Sequence, residues 1–222
     1  MTTPTLNDET VEAFETLFSG YTRAHGTFEI NSTDPQTEKK GGIARTILNA
    51  PTTSSWQGHL AGALRGLGVI PLLDDGESVK WAAIDIDVND IDHASLEKKV
   101  EDLGLPLVVY RSKSGGAHCY LFLQMPCPAK DVVDALRNWS AALGHPGVEI
   151  FPKQTKRESD PNTGKPRPGN WINLPYFGGD ATERYCVYRG EPISLDKFIE
   201  LAEDNRSGSG ILNNRDKWIF DL

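Results

Sequence analysis

The run WAAIDIDV at residues 81–88 is the feature that most constrains this chain. Six of its eight positions are apolar and rich in strand-forming residues, which predicts a buried strand. Side chains alternate between the two faces of a strand, so Asp85 and Asp87 share one face while Ile84 and Ile86 share the other. The sequence therefore places two carboxylates side by side at a site otherwise suited to a hydrophobic core.

Two adjacent carboxylates repel, and burying them without a counter-charge costs several kcal/mol on the order of the usual penalty for an unpaired charge. A hard divalent cation such as Mg²⁺ or Mn²⁺ suits ligation by carboxylate oxygens. The alternative is that Asp87 only ends the strand and that residues 88–90 form a turn. The run by itself leaves both interpretations open.

The composition is that of an ordinary globular protein, with 222 residues of which 38% are hydrophobic and 24% charged. We expect one catalytic domain over residues 1–204 and a linker-like tail over 205–222 that leads to a further domain. The chain has no apolar run of membrane-spanning length and no secretion signal at its start, so we expect an intracellular, cytoplasmic protein with no membrane partner. Cys119, Cys127 and Cys186 have no paired spacing and are expected to be buried free thiols.

Helices and strands are mixed along the chain, which predicts an α+β fold. Apolar spacing and capping residues predict helices after Asn7, over 54–67, after Asp92, over 129–143 and over 195–204. Strands are expected at 69–73, 81–88, 106–111, 117–123, 148–151 and 185–188, with hairpins joining 69–73 to 81–88 and 106–111 to 117–123. The Gly- and Thr-rich segment 26–53 is predicted to be largely loop.

The second notable stretch is SKSGGAH at residues 112–118. Its glycines let backbone amides face an anion, and Lys113 and the hydroxyl groups add donors, so it can hold a triphosphate. His118 lies in the following strand, where its ring can reach a phosphate oxygen. Taken alone, the stretch is more typical of an ordinary hairpin turn followed by a structural histidine.

A third acid, Glu149, lies in the apolar run GVEIFP at residues 147–152. It suits a further metal ligand or an ordinary exposed strand position. The segment that follows has five cations, Lys153, Lys156, Arg157, Lys165 and Arg167, against two acids, in a chain of net charge −8. Such a local reversal of charge suits phosphate recognition, and a solvated loop is the alternative.

Taken together and in this order, IDID, SKSGGAH, VEIFPKQ and NWINLPYF resemble the archaeo-eukaryotic primase superfamily. The likeness is strongest to primase-polymerase domains of phages, plasmids and mobile conflict systems, and it covers roughly residues 14–188. It implies a catalytic core with an RRM-like sheet that carries the acids, plus a small α/β part on the N-terminal side.

The resemblance also implies roles for individual residues. Asp85, Asp87 and Glu149 would be the catalytic metal ligands, although many relatives have Asp at the third position. The nucleotide would be bound by Arg111, Ser112, Lys113, Ser114, Gly116, His118, Lys153 and Asn173. Independently of the resemblance, Lys165 and Arg167 lie in the Gly- and Pro-rich part of the basic segment furthest from Glu149, and from their charge we expect them to contact the template strand.

The implied activity is template-directed nucleotidyl transfer on single-stranded DNA, using dNTPs or NTPs and two Mg²⁺ or Mn²⁺ ions. A fused or associated helicase is a further expected partner. Two other functions suit three carboxylates and a histidine: a two-metal phosphodiesterase or nuclease, and a non-catalytic DNA-binding initiator module that keeps the fold as a scaffold.

Overall fold

The computed structural model describes residues 6–33, 40–63, 65–88 and 90–213. The α-helices in this part of the chain are Asp8–Leu17 (α1), Thr53–Leu60 (α2), His93–Asp102 (α3), Ala129–Ala142 (α4) and Leu195–Asp204 (α5). The strands are His25–Thr33 (β1), Lys40–Ile47 (β2), Gly66–Val69 (β3), Ser78–Ile86 (β4), Val108–Arg111 (β5), Ala117–Pro128 (β6), Glu149–Phe151 (β7), Ile172–Asn173 (β8), Cys186–Tyr188 (β9) and Glu191–Pro192 (β10). Two short 3₁₀ helices, Gly179–Ala181 and Ser209–Asn213, complete the described elements.

The strands form two antiparallel sheets. The six-stranded sheet has the order β10-β9-β5-β6-β4-β7, and the four-stranded sheet has the order β2-β1-β3-β8. The acidic run therefore lies on β4, inside the larger sheet, while the smaller sheet is built mainly from the N-terminal side of the chain. The α+β class expected from the sequence is confirmed.

The central strand β4 separates two hydrophobic clusters. Ile84 and Ile86 pack in the cluster that also contains the buried faces of α3 and α4. Trp81 and Ala83 pack in the other cluster, with the buried residues of α1, α2 and α5. The alternation read from the sequence is correct, and Asp85 lies on the Trp81 side at the point where that cluster gives way to a cleft.

Two predicted helix starts are confirmed by their caps. The Asn7 side chain accepts a hydrogen bond from the Glu9 amide at 3.1 Å, and Asp92 accepts one from the Ser95 amide at 3.0 Å. That amide bond is also the main reason why the pKa of Asp92 is lowered from its usual value. The hairpin of β5 and β6 and the strands β7 and β9 are where the sequence indicated them.

The prediction of a loop over residues 26–53 is wrong, because this segment contributes β1 and β2. Two of its glycines hid the strand pattern, because Gly26 faces the Trp171 ring and Gly42 faces the Phe28 ring, where a strand would usually have a side chain. The second helix ends at Leu60 rather than at residue 67, since Gly62 has a positive φ of 70° and the chain then enters β3. β3 pairs with β1 and β8, not with β4. Of the hairpin predicted between 69–73 and 81–88, the described residues form a single β-bridge, between Leu72 and Val79.

The sequence predicted a linker-like tail after residue 204, and the structure packs the first part of this tail on β6. Ser207 donates its amide to the Phe122 carbonyl at 2.9 Å, and Arg206 donates to the Leu123 carbonyl at 3.0 Å. Ile211 and Leu212 pack against the α3–α4 cluster. Residues 214–222 of the predicted tail lie outside the described residues.

All three cysteines are buried free thiols, as expected. Among the described helices, none combines the length and apolar character needed to cross a bilayer.

Candidate active site

The site is built on one row of residues that crosses the six-stranded sheet. Glu149 is opposite Asp85, Asp85 is opposite His118, and His118 is opposite Tyr110. Directly opposed residues of antiparallel strands project from the same face. The register therefore places two acids, a histidine and a tyrosine side by side. In the sequence, the two acids, Asp85 and Glu149, are 64 positions apart.

Asp85 and Asp87 both line a cleft of about 240 Å³ at the end of β4. The strand ends at Ile86, so Asp87 follows it as an exposed residue, whereas the Asp85 side chain is only 24% exposed. Asp87 thus follows the end of the strand and lines the same cleft as Asp85, and its role as a metal ligand stays a prediction.

His118 is fixed at both ring nitrogens. Its Nε2 lies 3.3 Å from Oδ1 of Asp85, and its Nδ1 lies 3.2 Å from the Tyr120 hydroxyl. Tyr120 in turn donates to the Asn173 carbonyl at 3.4 Å. This chain of contacts links the acidic strand to β8, on the other sheet, and sets the orientation of the imidazole in the cleft.

Glu149 lies opposite Asp85 in the sheet, as a third acid of the site would, but its side chain contacts Lys153 and not the cleft. Its side chain is 60% exposed, and its Oε2 lies 2.6 Å from the Lys153 ammonium. Neither residue is among those that line the cleft. Within the ranges that the structure describes, no three His, Cys, Asp or Glu side chains converge closely enough to form a metal-binding group.

The turn at residues 112–116 lies directly against the end of β4. The Ser112 amide donates to the Gly116 carbonyl at 2.8 Å, and the Gly115 amide donates to the Ser112 carbonyl at 3.2 Å. A Cβ at Gly116 would lie 2.3 Å from the Ile86 carbonyl oxygen, so only glycine permits this approach. His93, the first residue of α3, also contacts the Gly116 carbonyl through Nε2 at 2.9 Å.

Most of the predicted nucleotide-binding residues meet in the cleft. Those that line it are Arg111, Ser112, Lys113, Ser114, His118 and Asn173. Arg111 donates to the Glu183 carbonyl at 3.0 Å, and the Lys113 ammonium lies 3.5 Å from the centre of the Phe28 ring. Gly116 and Lys153 do not line the cleft: the first is a packing position against β4, and the second contacts Glu149.

The segment 173–175 forms a wall of the cleft and is held by a buried histidine. The Leu67 amide donates to Nδ1 of His59 at 2.9 Å, so Nε2 carries the proton and donates to the Pro175 carbonyl at 2.7 Å. Burial is the main reason that the pKa of His59 falls to about 4, which keeps the ring neutral near pH 7. His59 thereby connects α2 to the cleft wall.

Sequence reasoning missed Arg184, the one buried cation of the cleft among the described residues. Burial lowers the pKa of its guanidinium to about 10, with smaller opposing effects from Tyr120 and Glu183. Its Nη1 has no hydrogen-bond partner within the part of the chain described. Other cleft residues were missed as well, among them Tyr110 and Trp171. A signal for Arg184 was present in the sequence, because it is a cation directly before the strand predicted at 185–188.

The basic segment is divided between structural and exposed positions. The Arg157 guanidinium lies 3.6 Å from the centre of the Tyr21 ring, and its N–H groups donate to the carbonyls of Leu72, Leu73, Arg167 and Pro168. Arg157 is thus engaged in packing, away from the cleft. Arg167 lies 3.9 Å from both Glu158 and Asp160, Lys165 is exposed, and neither residue lines the cleft.

Comparison with known proteins gives a family match over most of the chain. The family described as the archaeo-eukaryotic primase domain of TOTE conflict systems matches residues 15–195 of the 222. A comparison with curated proteins finds no match.

Solved structures similar to this chain include a phage primase-polymerase domain and the primase RepB′. The primase-polymerase AEP domain of cyanophage S-2L has 13% identity and a TM-score of 0.45, over 90% of this chain and 100% of that one. The primase RepB′ has 10% identity and a TM-score of 0.37, over 95% of this chain and 65% of that one. The catalytic domain of RepB′ with initiator DNA has 7% identity and a TM-score of 0.35, over 94% of this chain and 97% of that one.

The family match spans β4 to β9, and so contains every strand from which the cleft is built. The chain therefore belongs to the archaeo-eukaryotic primase domain family of TOTE conflict systems.

Proposed function

We propose that this domain is a primase-polymerase that adds nucleotides to a 3′-hydroxyl, or starts primers, on single-stranded DNA. Family membership supports a primase-type nucleotidyltransferase in general. The single observation that carries the more specific proposal is the convergence of Asp85, Asp87 and His118 with the turn 112–116 in one cleft. This arrangement combines acids for a metal with donors for phosphates.

The carboxylates of Asp85 and Asp87 fit a hard divalent cation, because both face the cleft and both offer oxygen ligands. Two Mg²⁺ or Mn²⁺ ions are proposed for the complete site; Asp85 and Asp87 would hold them, and the ions would supply a lowered pKa for the attacking hydroxyl and positive charge for the departing pyrophosphate. Glu149 lies on the adjacent strand and can serve as the third ligand when Lys153 releases its carboxylate.

The remaining cleft residues suit a triphosphate. His118, Arg111 and Lys113 supply positive or donor groups, and the Ser112 and Ser114 hydroxyls add neutral donors. Tyr110 also lines the cleft. It is two strands away from Asp85, which is about 10 Å at the usual strand spacing. Arg184 lines the cleft as a buried cation, and a positive charge at this place suits the terminal phosphate.

Template contact is assigned to Lys165 and Arg167, which lie outside the cleft on the segment after β7. The acids near Arg167 make Lys165 the more available of the two cations. A fused or associated helicase remains part of the proposal, on the resemblance alone.

The test is incorporation of labelled dNTPs and NTPs on a single-stranded template with Mg²⁺ or Mn²⁺, with and without a primer. Extension or primer synthesis that the double variant Asp85→Asn, Asp87→Asn lacks supports the proposal. A parallel reaction with labelled DNA and no nucleotides distinguishes a nuclease, because only a nuclease shortens the strand. DNA binding that survives the double variant, with no incorporation by the wild type under any metal, would favour an initiator module instead.

A further inference from the structure

Trp171 lies across a row of glycines on the four-stranded sheet. In that sheet Thr46 is opposite Gly26, Gly26 is opposite Gly68, and Gly68 is opposite Asn173. A Cβ built at Gly26 or Gly68 would lie 2.0 or 2.3 Å from atoms of the Trp171 ring. The indole therefore occupies the space that two side chains would otherwise fill, and this sheet accepts it only where both strands have glycine.

The ring is held in place and is still accessible. Its Nε1–H donates to the Thr46 hydroxyl at 3.2 Å, which fixes its orientation across the sheet. Trp171 is partly exposed and lines the same cleft as Asp85, His118 and Asn173. The other tryptophans in the described part of the chain, Trp56, Trp81 and Trp139, are at most 2% exposed.

The two walls of the cleft differ in charge. Asp85, His118 and Arg111 are on the six-stranded sheet, and the turn 112–116 connects two of its strands. The opposite wall is formed by Trp171 and residues 172–175 and carries no ionisable side chain. Lys113 connects the two sheets. It lies in the turn 112–116 of the six-stranded sheet, and its ammonium lies over the ring of Phe28, which is on β1 of the four-stranded sheet.

We infer that Trp171 is the surface on which the base of the incoming nucleotide stacks, and that Gly26 and Gly68 set the position of its ring. The inference rests on the proposed function, because it needs a nucleotide whose phosphates lie on the charged wall. Every base has a π face, so this contact accepts all four bases and discriminates a nucleotide from a bare polyphosphate. Trp171 acts as a binding residue that positions the nucleotide.

The place of the ring favours the incoming nucleotide over the template as the stacking partner. Trp171 lines the same cleft as Asp85, Asp87 and the donors of the turn at 112–114, so a base on the ring and phosphates on the turn belong to one ligand. Lys165 and Arg167, the residues proposed for the template, do not line this cleft.

The experiment compares ligands with and without a base, in the presence of Mg²⁺ or Mn²⁺. Calorimetric titration of the complete chain with ATP, dATP and tripolyphosphate gives the three affinities. The chain has five tryptophans, so the part of the fluorescence change that Trp171→Leu lacks reports the environment of Trp171. We expect both nucleotides to quench the fluorescence more than tripolyphosphate does. Trp171→Leu should bind ATP and dATP about 5- to 150-fold more weakly, the range expected for one stacked base, with tripolyphosphate affinity unchanged.

Gly68→Ala is the second variant, because it displaces the ring without changing the ring itself. It should reproduce the loss seen with Trp171→Leu, while Trp171→Phe should lose less. Gly58→Ala is the matched control, since a Cβ there makes only an ordinary contact of 3.5 Å with Ala63, and it should bind all three ligands normally. Circular dichroism identifies any variant that fails to fold. If Gly68→Ala does not fold, the comparison of Trp171→Phe with Trp171→Leu still tests the role of the aromatic ring.

Unchanged ATP and dATP affinity in Trp171→Leu would overturn the inference and leave the proposed function intact. Loss of oligonucleotide affinity with normal nucleotide affinity would also overturn it, since the ring would then contact the template. If the wild type binds neither nucleotide nor tripolyphosphate, the proposed function itself fails and the inference fails with it.

Discussion

The imidazole of His118 and the carboxylate of Asp85 face each other across two paired strands, with Nε2 3.3 Å from Oδ1. The contact places the proposed phosphate donor beside the proposed metal ligand. Substitutions of the two residues should nevertheless have different effects, because in the proposed function the acid binds the metal and the histidine contacts the triphosphate.

The double variant Asp85→Asn, Asp87→Asn should abolish nucleotide incorporation and leave the melting temperature unchanged or slightly higher. Two like charges are removed from one cleft, so the protein without metal loses a repulsion. Labelled-nucleotide incorporation and thermal unfolding are measured on the same preparations. Asp90→Asn is the control, because Asp90 is exposed with φ at 60°, a conformation that asparagine tolerates. Normal incorporation by the double variant would remove the central claim.

His118→Ala should weaken binding of a nucleoside triphosphate and have little effect on the nucleoside. One lost charge-assisted hydrogen bond corresponds to about 1.5–3 kcal/mol. Competition titrations with ATP and adenosine give the two affinities. Equal losses for both ligands would show that the imidazole is a packing residue between Asp85 and Tyr120.

Arg184→Met should bind triphosphates more weakly than the wild type and monophosphates almost equally well. The expected loss is about 1.5–3 kcal/mol if the guanidinium contacts the terminal phosphate. The free energy of unfolding should stay the same or increase, since a buried charge with an unused N–H group is replaced by an apolar side chain of similar length. A marked fall in stability with unchanged triphosphate affinity would assign Arg184 to the fold.

His59 should make the protein less stable in acid. Its pKa is about 4 in the folded state and 6.5 in the reference state, so the unfolded chain binds more protons between these values. The stability that the neutral ring contributes is present above pH 6.5 and is lost as the pH falls towards 4, by roughly 3 kcal/mol in total.

Urea unfolding at pH 7.5, 5.5 and 4.5 measures this loss, which should be smaller in His59→Asn. The variant itself will be less stable than the wild type at pH 7.5, so the comparison is between the two pH dependences. His145→Asn is a useful control, because His145 is only partly buried. Parallel pH profiles for the wild type and His59→Asn would contradict the assignment.

The double reversal Lys165→Glu, Arg167→Glu should reduce affinity for single-stranded DNA with little effect on nucleotide binding in the presence of metal. If both residues contact phosphates, the slope of log affinity against log salt should flatten by roughly 1.4 units. A fluorescent oligonucleotide is titrated at several salt concentrations. Lys130→Glu with Arg137→Glu, two exposed cations on α4, gives the same change of charge elsewhere. An unchanged slope in the first variant would place the template on another surface.

Much of the larger sheet was predictable because its signals are local. The alternation around Asp85, the cap at Asp92 and the turn after Arg111 each follow from a few neighbouring residues. The grouping of six predicted nucleotide-binding residues in one cleft came from the family resemblance, since no local pattern relates Asn173 to Ser112.

The parts that sequence reasoning missed depend on contacts between distant segments. Gly26 and Gly68 are informative only once Trp171 is known to lie over both. Arg184 lies in the cleft because β9, the strand that follows it, pairs with β5. Arg157 lies away from the cleft because its guanidinium contacts the Tyr21 ring and donates to four backbone carbonyls. The ion pair between Glu149 and Lys153 changes the environment of an acid whose strand position was predicted correctly.

The close approach of Gly116 to the Ile86 carbonyl has a consequence for how a ligand would be received. No side chain separates the turn from the strand, and the bond from His93 holds the turn on its other side. The donors and the acids are thus arranged relative to each other before any ligand arrives, so little ordering entropy is lost there on binding. The opposite wall is set in advance in the same way, because the Trp171 ring lies on the bare backbone of Gly26 and Gly68 and is held by the Thr46 hydroxyl.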